Sequence, residues 1–153
     1  MEQEWMPFII SIKTALTATM ITFFLGIFAA NKINKINPKH KGILDSLFTL
    51  PMVLPPTVIG FFLLVILGRN GFIGKLLYSI GINVIFSWGA TVIAAVVVSF
   101  PLMYSTAKGA FEQIDKNILN AAQTMGVSNF KIFWKIMIPL AWPGIAAGTI
   151  LSF

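Results

Sequence analysis

Long runs without a charged residue constrain this chain more than any other feature of its sequence. About 20 apolar residues are enough for a helix to cross the hydrocarbon core of a membrane, and only a segment that pairs its own backbone groups is stable there. The sequence therefore predicts an all-α fold, a polytopic membrane helix bundle with about four transmembrane helices. The uncharged runs are Thr14–Asn31, Ser46–Gly68, Leu76–Ala107 and Ile136–Phe153.

The first two runs predict one continuous span and one interrupted span. The first is expected from about Phe8 to Ala30, with the ammonium group of Lys13 reaching the interface. Glutamates rather than basic residues precede it, which argues against a cleavable signal peptide. Proline removes a backbone donor and clashes with the preceding turn, so the second span, Ser46–Gly68, is expected to bend or break near its middle. Its prolines are Pro51, Pro55 and Pro56.

The last two runs predict a surface loop and two further spans. Leu76–Ala107 is too long for one straight crossing, so its first part is expected to be a loop, with Trp88 at the interface. The third span is expected from about Gly89 to Tyr104, and a fourth begins at Ile136. The chain ends inside this last run, with no polar cap and no flanking charge. We therefore expect residues 1–153 to form a single transmembrane domain that is incomplete at its C terminus.

The composition excludes several classes of protein. Charged residues make up 10% of the chain and the mean hydropathy is +0.86, whereas soluble domains carry about 25% charged residues. The net charge of +6 comes from lysines in short segments between apolar runs, which indicates membrane topology rather than binding to nucleic acid. The chain has no cysteine and a single histidine, His40, so we expect no disulfide, metal site or cofactor.

The distribution of lysines predicts the orientation in the cell membrane. Cytoplasmic loops are enriched in Lys and Arg. If the spans alternate, both lysine-rich loops lie on the cytoplasmic side and the N terminus lies outside. The two loops carry Lys32, Lys35, Lys39, Lys41, Lys108, Lys116, Lys131 and Lys135, whereas the opposite side carries only Arg69, Lys75 and at most Lys13.

Ionisable residues are absent from the middle of every predicted span, since Asp45 and Lys13 stand only at span edges. Intramembrane charges mark proton relays and catalytic sites. Their absence argues against a self-powered carrier or an intramembrane enzyme. A pore-forming subunit driven from outside, a channel and a scaffold remain possible.

The polar segment 108–135 between the third and fourth spans predicts a helix, a glycine turn and a second helix. Apolar residues recur at three- and four-residue spacing over Gly109–Met125, which is typical of an amphipathic helix. Gly126 is suited to end that helix in a left-handed conformation, and Ser128 is suited to cap the helix that begins at Asn129. One interpretation is a hairpin that covers the end of the bundle. The small side chains of Ala121 and Ala122 favour another, a helix that docks in a groove of a partner.

Several motifs resemble the membrane subunits of bacterial ATP-binding-cassette importers. Ala121-Ala122-x-x-x-Gly126 followed by Ile138-Pro139-Leu140 is similar to the Glu-Ala-Ala loop of that family. The rest of the chain resembles the molybdate permease branch, through Leu54-Pro55-Pro56-Thr57-Val58-Ile59-Gly60-Phe61, Leu67-Gly68-Arg69-Asn70-Gly71-Phe72-Ile73-Gly74, Ser99-Phe100-Pro101-Leu102-Met103-Tyr104 and Pro139-Leu140-Ala141-Trp142-Pro143-Gly144.

The resemblance implies a homodimeric permease that imports an oxyanion delivered by an external binding protein. Residues 108–135 would be the cytoplasmic coupling loop, docked on an ATPase subunit that performs all ATP chemistry. Molybdate is the implied substrate, with tungstate or sulfate as alternatives. A truncated, non-transporting scaffold is an alternative from another class.

The candidate residues fall into two groups. For contact with the ATPase or for shaping that interface we select Asn120, Ala121, Ala122 and Gly126, where Asn120 replaces the glutamate of many family members. Met125 and Phe130 could either dock into the partner or pack under the bundle. Arg69 could attract anions or be a solvated loop cation. The translocation path is expected to include Pro55, Pro56, Thr57 and Gly60, although a structural kink would explain the same residues.

Overall fold

Helices account for all the regular secondary structure of residues 2–34, 36–69, 71–79, 81 and 87–153, which are the residues that the computed structural model of the chain describes. Within these residues three stretches are long and apolar enough to cross a membrane, namely Trp5–Ile33, Trp88–Glu112 and Asn129–Ser152, and a bent pair of helices, His40–Val53 and Pro56–Leu67, makes a fourth if it counts as one span. The all-α membrane bundle is thus confirmed. The helices are α1 (Glu2–Ile33), α2 (Pro38–Val53), α3 (Pro56–Leu67), α4 (Phe72–Ser79), α5 (Trp88–Glu112), α6 (Lys116–Thr124), α7 (Asn129–Ile132) and α8 (Ile138–Ser152).

The core of the bundle is the packing of α1 and α8 against α5, with α1 and α8 also in contact with each other. Glycines let the backbones approach closely, which is how helices associate when lipid gives no hydrophobic driving force. A Cβ on Gly26 of α1 would lie 2.7 Å from Cγ of Met103, and one on Gly144 of α8 would lie 2.5 Å from Cβ of Ala110. Met103 itself is fully buried.

Hydroxyl groups join the same helices through the apolar interior. The hydroxyls of Thr22 on α1 and Ser99 on α5 are 3.0 Å apart. The Thr19 hydroxyl donates to the Ser152 carbonyl of α8 at 3.3 Å. Such interhelical hydrogen bonds add to packing and fix which faces of the helices meet.

The second predicted span is broken rather than bent, because α2 and α3 meet at 111°. The break lies at Leu54 and Pro55, whereas Pro51 stays inside α2. A residue before proline is biased away from helical angles, and two consecutive prolines remove two donors. Pro56 is tolerated as the first residue of α3, where its nitrogen would have no partner in any case.

Two predictions about helix limits are wrong. The predicted amphipathic helix Gly109–Met125 is divided between α5, which continues through Glu112, and α6, which starts at Lys116. The carboxylate of Asp115 accepts from the backbone N–H of Asn117 at 2.8 Å and so caps α6. This local bond competes with a continuous helix, as short acidic side chains commonly do.

The predicted loop after Leu76 is also partly wrong, because α4 extends to Ser79. Gly81 has φ +78 and forms a turn. The remainder of that predicted loop, 82–86, lies outside the described residues. Trp88 starts α5, its indole nitrogen donates to the Thr14 hydroxyl at 2.9 Å, and Lys13 lies 5.0 Å from the ring centroid.

A π-helical turn, Phe133–Met137, joins α7 to α8 in one continuous helix. The N–H of Ile138 donates to the carbonyl of Phe133, five residues earlier. Pro139 follows directly and would clash with the carbonyl four residues before it in a regular α-helix. Insertion of one wide turn is a common way to accommodate such a conflict.

Candidate functional site

α6 is a short helix that has a hydrogen-bonded cap at each end. Asp115 caps its start. At its end Gly126 has φ +77, and its N–H donates to the carbonyl of Gln123 at 2.9 Å. The N–H of Val127 donates to the carbonyl of Ala122 at 3.1 Å. These two bonds form a Schellman motif, so the prediction that Gly126 ends the helix in a left-handed conformation is confirmed.

The predicted coupling residues do not share one face. Ala122 is 8% exposed and belongs to the buried core, whereas Asn120 and Ala121 are exposed. A partner can therefore reach Asn120 and Ala121 directly, while Ala122 can only shape the surface by holding α6 close to the bundle.

Met125 and Phe130 face away from the protein. Their exposed fractions are 82% and 74%, so neither packs under the bundle. Phe130 lies beside Trp134, with 6.3 Å between ring centroids. Ser128 stands at the position before α7, but its side chain makes no cap hydrogen bond. Ile118 of the predicted stripe is also half exposed.

An open apolar cleft of about 880 Å³ lies between α3 and the start of α5. Two of the four predicted path residues, Thr57 and Gly60, line it. The other two do not line it, since Pro55 lies in the break between α2 and α3 and Pro56 is the first residue of α3, directly before Thr57. A Cβ on Gly60 would meet nothing within 4 Å, so the glycine leaves space in the cleft rather than permitting a close helix contact.

Arg69 is held by its neighbour Tyr78. Its guanidinium donates to the Tyr78 hydroxyl at 3.0 Å and lies 4.6 Å from the ring centroid. The arginine is exposed, yet this contact limits its freedom to follow an anion.

A polar cluster between α2 and α5 was not predicted. Asp45 accepts from the Tyr104 hydroxyl at 2.5 Å and is ion-paired with Lys108. Lys41 and Glu112 form a second ion pair at 2.7 Å. The sequence does place Tyr104, Lys108 and Glu112 four residues apart, and Lys41 and Asp45 likewise. That spacing puts each set on one helix face, but only if α2 starts before Lys41 and α5 continues to Glu112.

Aromatic rings cover one side of this polar cluster. Tyr104 is fully buried, and its ring centroid lies 5.2 Å from that of Phe48 and 5.9 Å from that of Phe100.

Within the described residues no group of three or more His, Cys, Asp or Glu side chains could hold a metal ion.

The sequence pattern of one protein family matches residues 22–153 of the chain. Its description is binding-protein-dependent transport system inner membrane component. The chain belongs to this family.

Curated relatives align with nearly the whole chain. The molybdenum transport system permease protein ModB of Escherichia coli (strain K12) is 42% identical over 153 residues, which are 99% of this chain and 67% of that protein. ModB of Haemophilus influenzae is 41% identical over 145 residues, which are 94% of this chain and 63% of that protein. A protein of Chlorokybus atmophyticus named as a probable sulfate transport system permease is 34% identical over 146 residues, 95% of this chain and 51% of that protein.

Family membership confirms the coarser predictions. The chain is a multi-pass membrane protein of an ATP-binding-cassette import system, in which transport depends on separate ATPase and substrate-binding partners. Its relatives are permease proteins of transport systems rather than enzymes. The chain spans about two thirds of their length.

Proposed function

We propose that this chain is the membrane-spanning part of a permease that imports molybdate, driven by a separate ATPase. The observation that supports the substrate is the alignment of 99% of the chain with a molybdenum permease at 42% identity. Sulfate is the second candidate, favoured by the relative at 34% identity. Tungstate is a tetrahedral dianion as well, and it belongs in the same comparison.

Uptake of isotope-labelled molybdate by cells carrying the complete transporter tests the substrate. We expect excess unlabelled molybdate to abolish uptake and excess sulfate to leave most of it. If excess sulfate lowers uptake as much as excess molybdate does, the hypothesis of a sulfate permease replaces that of a molybdate permease. If uptake equals that of cells without the transporter, a non-transporting scaffold is the better account.

The proposed translocation path runs along the cleft between α3 and α5. Its edge is the break at Pro55 and Pro56, and its wall includes the Thr57 hydroxyl and the space at Gly60. A hydroxyl can donate to an oxyanion without trapping it by a full charge. A binding protein would deliver the anion at the end of the bundle that carries Arg69.

The ATPase is proposed to dock on the exposed side of α6 and the turn that follows it. Asn120, Ala121, Met125 and Phe130 would contact the partner, and Gly126 would set the turn. Ala122 would shape the surface from inside. Small residues permit close approach of a groove, and the exposed Met and Phe supply apolar anchors.

A pair of tryptophan substitutions tests this docking surface. Ala121→Trp is expected to abolish co-purification of the ATPase, because Ala121 is exposed on α6. Ile150→Trp is the control, since Ile150 is exposed near the C-terminal end of α8. Full recovery of the ATPase with Ala121→Trp would contradict the coupling role of α6.

We also propose a homodimer with the lysine-rich end in the cytoplasm and the N terminus outside. The ends of α1 and α5 and the start of α2 meet at that end, because Lys41 pairs with Glu112 at the end of α5 and donates to Asn34, which follows α1. The chain has no native cysteine, so single cysteines at Asn120 and at Lys75 can be labelled in whole cells with a membrane-impermeant reagent. Only the cysteine at Lys75 is expected to react. Reaction of the cysteine at Asn120 alone would show that the topology is inverted.

Cross-linking of differently tagged copies of the chain tests the dimer.

A further inference from the structure

The polar cluster of α2 and α5 lies where two moving parts of a transporter would meet. α2 presents Lys41 and Asp45, and α5 presents Tyr104, Lys108 and Glu112. Every charge in this cluster faces an opposite charge on the other helix. Lys108 also lies 4.0 Å from Glu112, so the two ion pairs are connected.

Partial burial makes the ion pair of Asp45 and Lys108 stronger than an ordinary surface ion pair. The side chains of Lys108 and Asp45 are 17% and 27% exposed. Exposed pairs contribute little because water and salt screen them, whereas a partly buried charge that loses its partner is left uncompensated. The Tyr104 hydroxyl occupies a further lone pair of the Asp45 carboxylate, and the buried ring fixes its direction.

The position of the cluster along the chain gives it a mechanical consequence. Glu112 is the last residue of α5 and is followed by the turn that leads into α6. Asp45 belongs to α2, whose far end breaks at Pro55 into the α3 wall of the cleft. The cluster therefore ties the base of the proposed ATPase-docking helix to the helix that leads into the cleft.

We infer that Asp45 and Lys108 are positioning residues that make α2 follow α6 when the ATPase moves it. This inference rests on the proposed coupling role of α6, but it does not depend on which anion is carried. With the ion pairs intact, a displacement of α6 reaches the α2–α3 break through rigid helices. Without them, α6 can move while α2 stays behind.

Spin labels on the complete transporter, assembled with its ATPase, test this linkage directly. Because the chain has no cysteine, Ile43→Cys on α2 and Asn117→Cys on α6 provide unique label sites in it, and both residues are exposed. In the parent transporter the distance between the labels should be the same without nucleotide and with bound ATP. In Asp45→Asn or Lys108→Gln it should change by roughly one helical turn, about 5 Å.

A functional readout separates positioning from plain structural support. In proteoliposomes, Asp45→Asn and Lys108→Gln should lower anion uptake per ATP hydrolysed by about tenfold while ATP hydrolysis continues. Lys108→Arg should keep the parent ratio of uptake to hydrolysis, because it keeps the charge. Lys75→Gln should not change that ratio either. If Asp45→Asn does not assemble, Lys108→Gln and Tyr104→Phe carry the same comparison.

Two results would overturn the linkage. One is a label distance that changes with nucleotide in the parent transporter as much as in the variants. The other is equal loss of hydrolysis and uptake in every assembled variant, which would make the cluster a structural support only. Failure of the parent transporter to take up molybdate would refute the proposed substrate, and the label distances would still decide the linkage.

Discussion

The two sides of α5 are built in different ways. Towards α1 and α8 it packs closely through glycines such as Gly26 and Gly144, whose backbones lie against the side chains of Met103 and Ala110. Towards α2 and α3 it has ion pairs at one end and an apolar cleft of about 880 Å³ at the other. Packed interiors do not deform continuously, so close packing restricts α1, α5 and α8 to a single arrangement. On the second side the ion pairs hold α2 to α5, and the cleft leaves space in which α3 can move.

The largest expected effect is on the closely packed side. Gly144→Val would drive a rigid branched side chain into Ala110, which has no rotamer to change, so α8 must move away from α5. We expect a loss of about 3 kcal/mol in the free energy of unfolding, measured by denaturant titration in detergent. Gly60→Val on the cleft side should cost less than about 0.5 kcal/mol, because its Cβ meets nothing within 4 Å. Equal losses would mean that the two sides do not differ in packing.

A smaller loss is expected at the ion pairs. Lys108→Gln leaves the carboxylate of Asp45 without its main partner, at 27% exposure. We expect about 2 kcal/mol, below the range for fully buried pairs because water still reaches the group. Lys75→Gln, which removes an exposed charge from α4, should change stability by less than about 0.5 kcal/mol. If both substitutions were neutral, this end of α5 would be as loosely held as the cleft.

Alanine substitution should change stability in opposite directions at glycines with and without a left-handed backbone conformation. Gly126→Ala forces φ +77 on a residue with a Cβ, at an expected cost of about 1 kcal/mol. Gly109→Ala, inside α5 with nothing within 4 Å of an added Cβ, should stabilise by about 0.5 kcal/mol through helix propensity. Thermal unfolding of the two variants in the same detergent measures both signs. Destabilisation by Gly109→Ala would reveal close packing on a side of α5 where none is described.

The smallest expected effect concerns the cleft. Thr57→Val keeps the shape of the side chain and removes its hydroxyl, so molybdate uptake should fall by about threefold with no change in stability. Thr17→Val is the control, because the Thr17 hydroxyl bonds to the Lys13 carbonyl within α1. Uptake that is unchanged in Thr57→Val would remove this hydroxyl from the path.

Local features of the fold could be predicted from the sequence. Uncharged runs gave the membrane spans, the proline pair gave the break in the second one, and Gly126 gave the end of α6. The division at Asp115 was missed because Phe111, Ile114 and Ile118 continue at helical spacing across the turn, and both sides of the turn pack apolar residues. Hydrophobic periodicity indicates which residues are buried. It does not indicate where a capping side chain separates one helix from the next.

The polar cluster could not be predicted in the same way. Asp45 and Lys108 are 63 residues apart in the chain, and their pairing depends on how α2 lies on α5. The sequence pattern indicates only a role in topology for the lysines near the start of α2, although Lys41 stands on a helix and pairs across it. Likewise, the burial of Ala122 and the exposure of Ala121 depend on which face α6 turns to the bundle, and two adjacent alanines do not specify that face.

The wide turn at Phe133–Met137 means that the chain carries one residue more than a regular helix would need there. Ile132 and Met137 are five residues apart and are both buried, an alignment that an α-helix gives at a spacing of four. Removal of one residue from this turn would thus leave α7 and α8 in the same rotational register. We expect a single deletion at Trp134 to fold with a kink at Pro139, whereas one at Ile145, within α8, would rotate every later contact by about 100°. Expression and unfolding of the two deletion variants would show where this membrane helix can change its length.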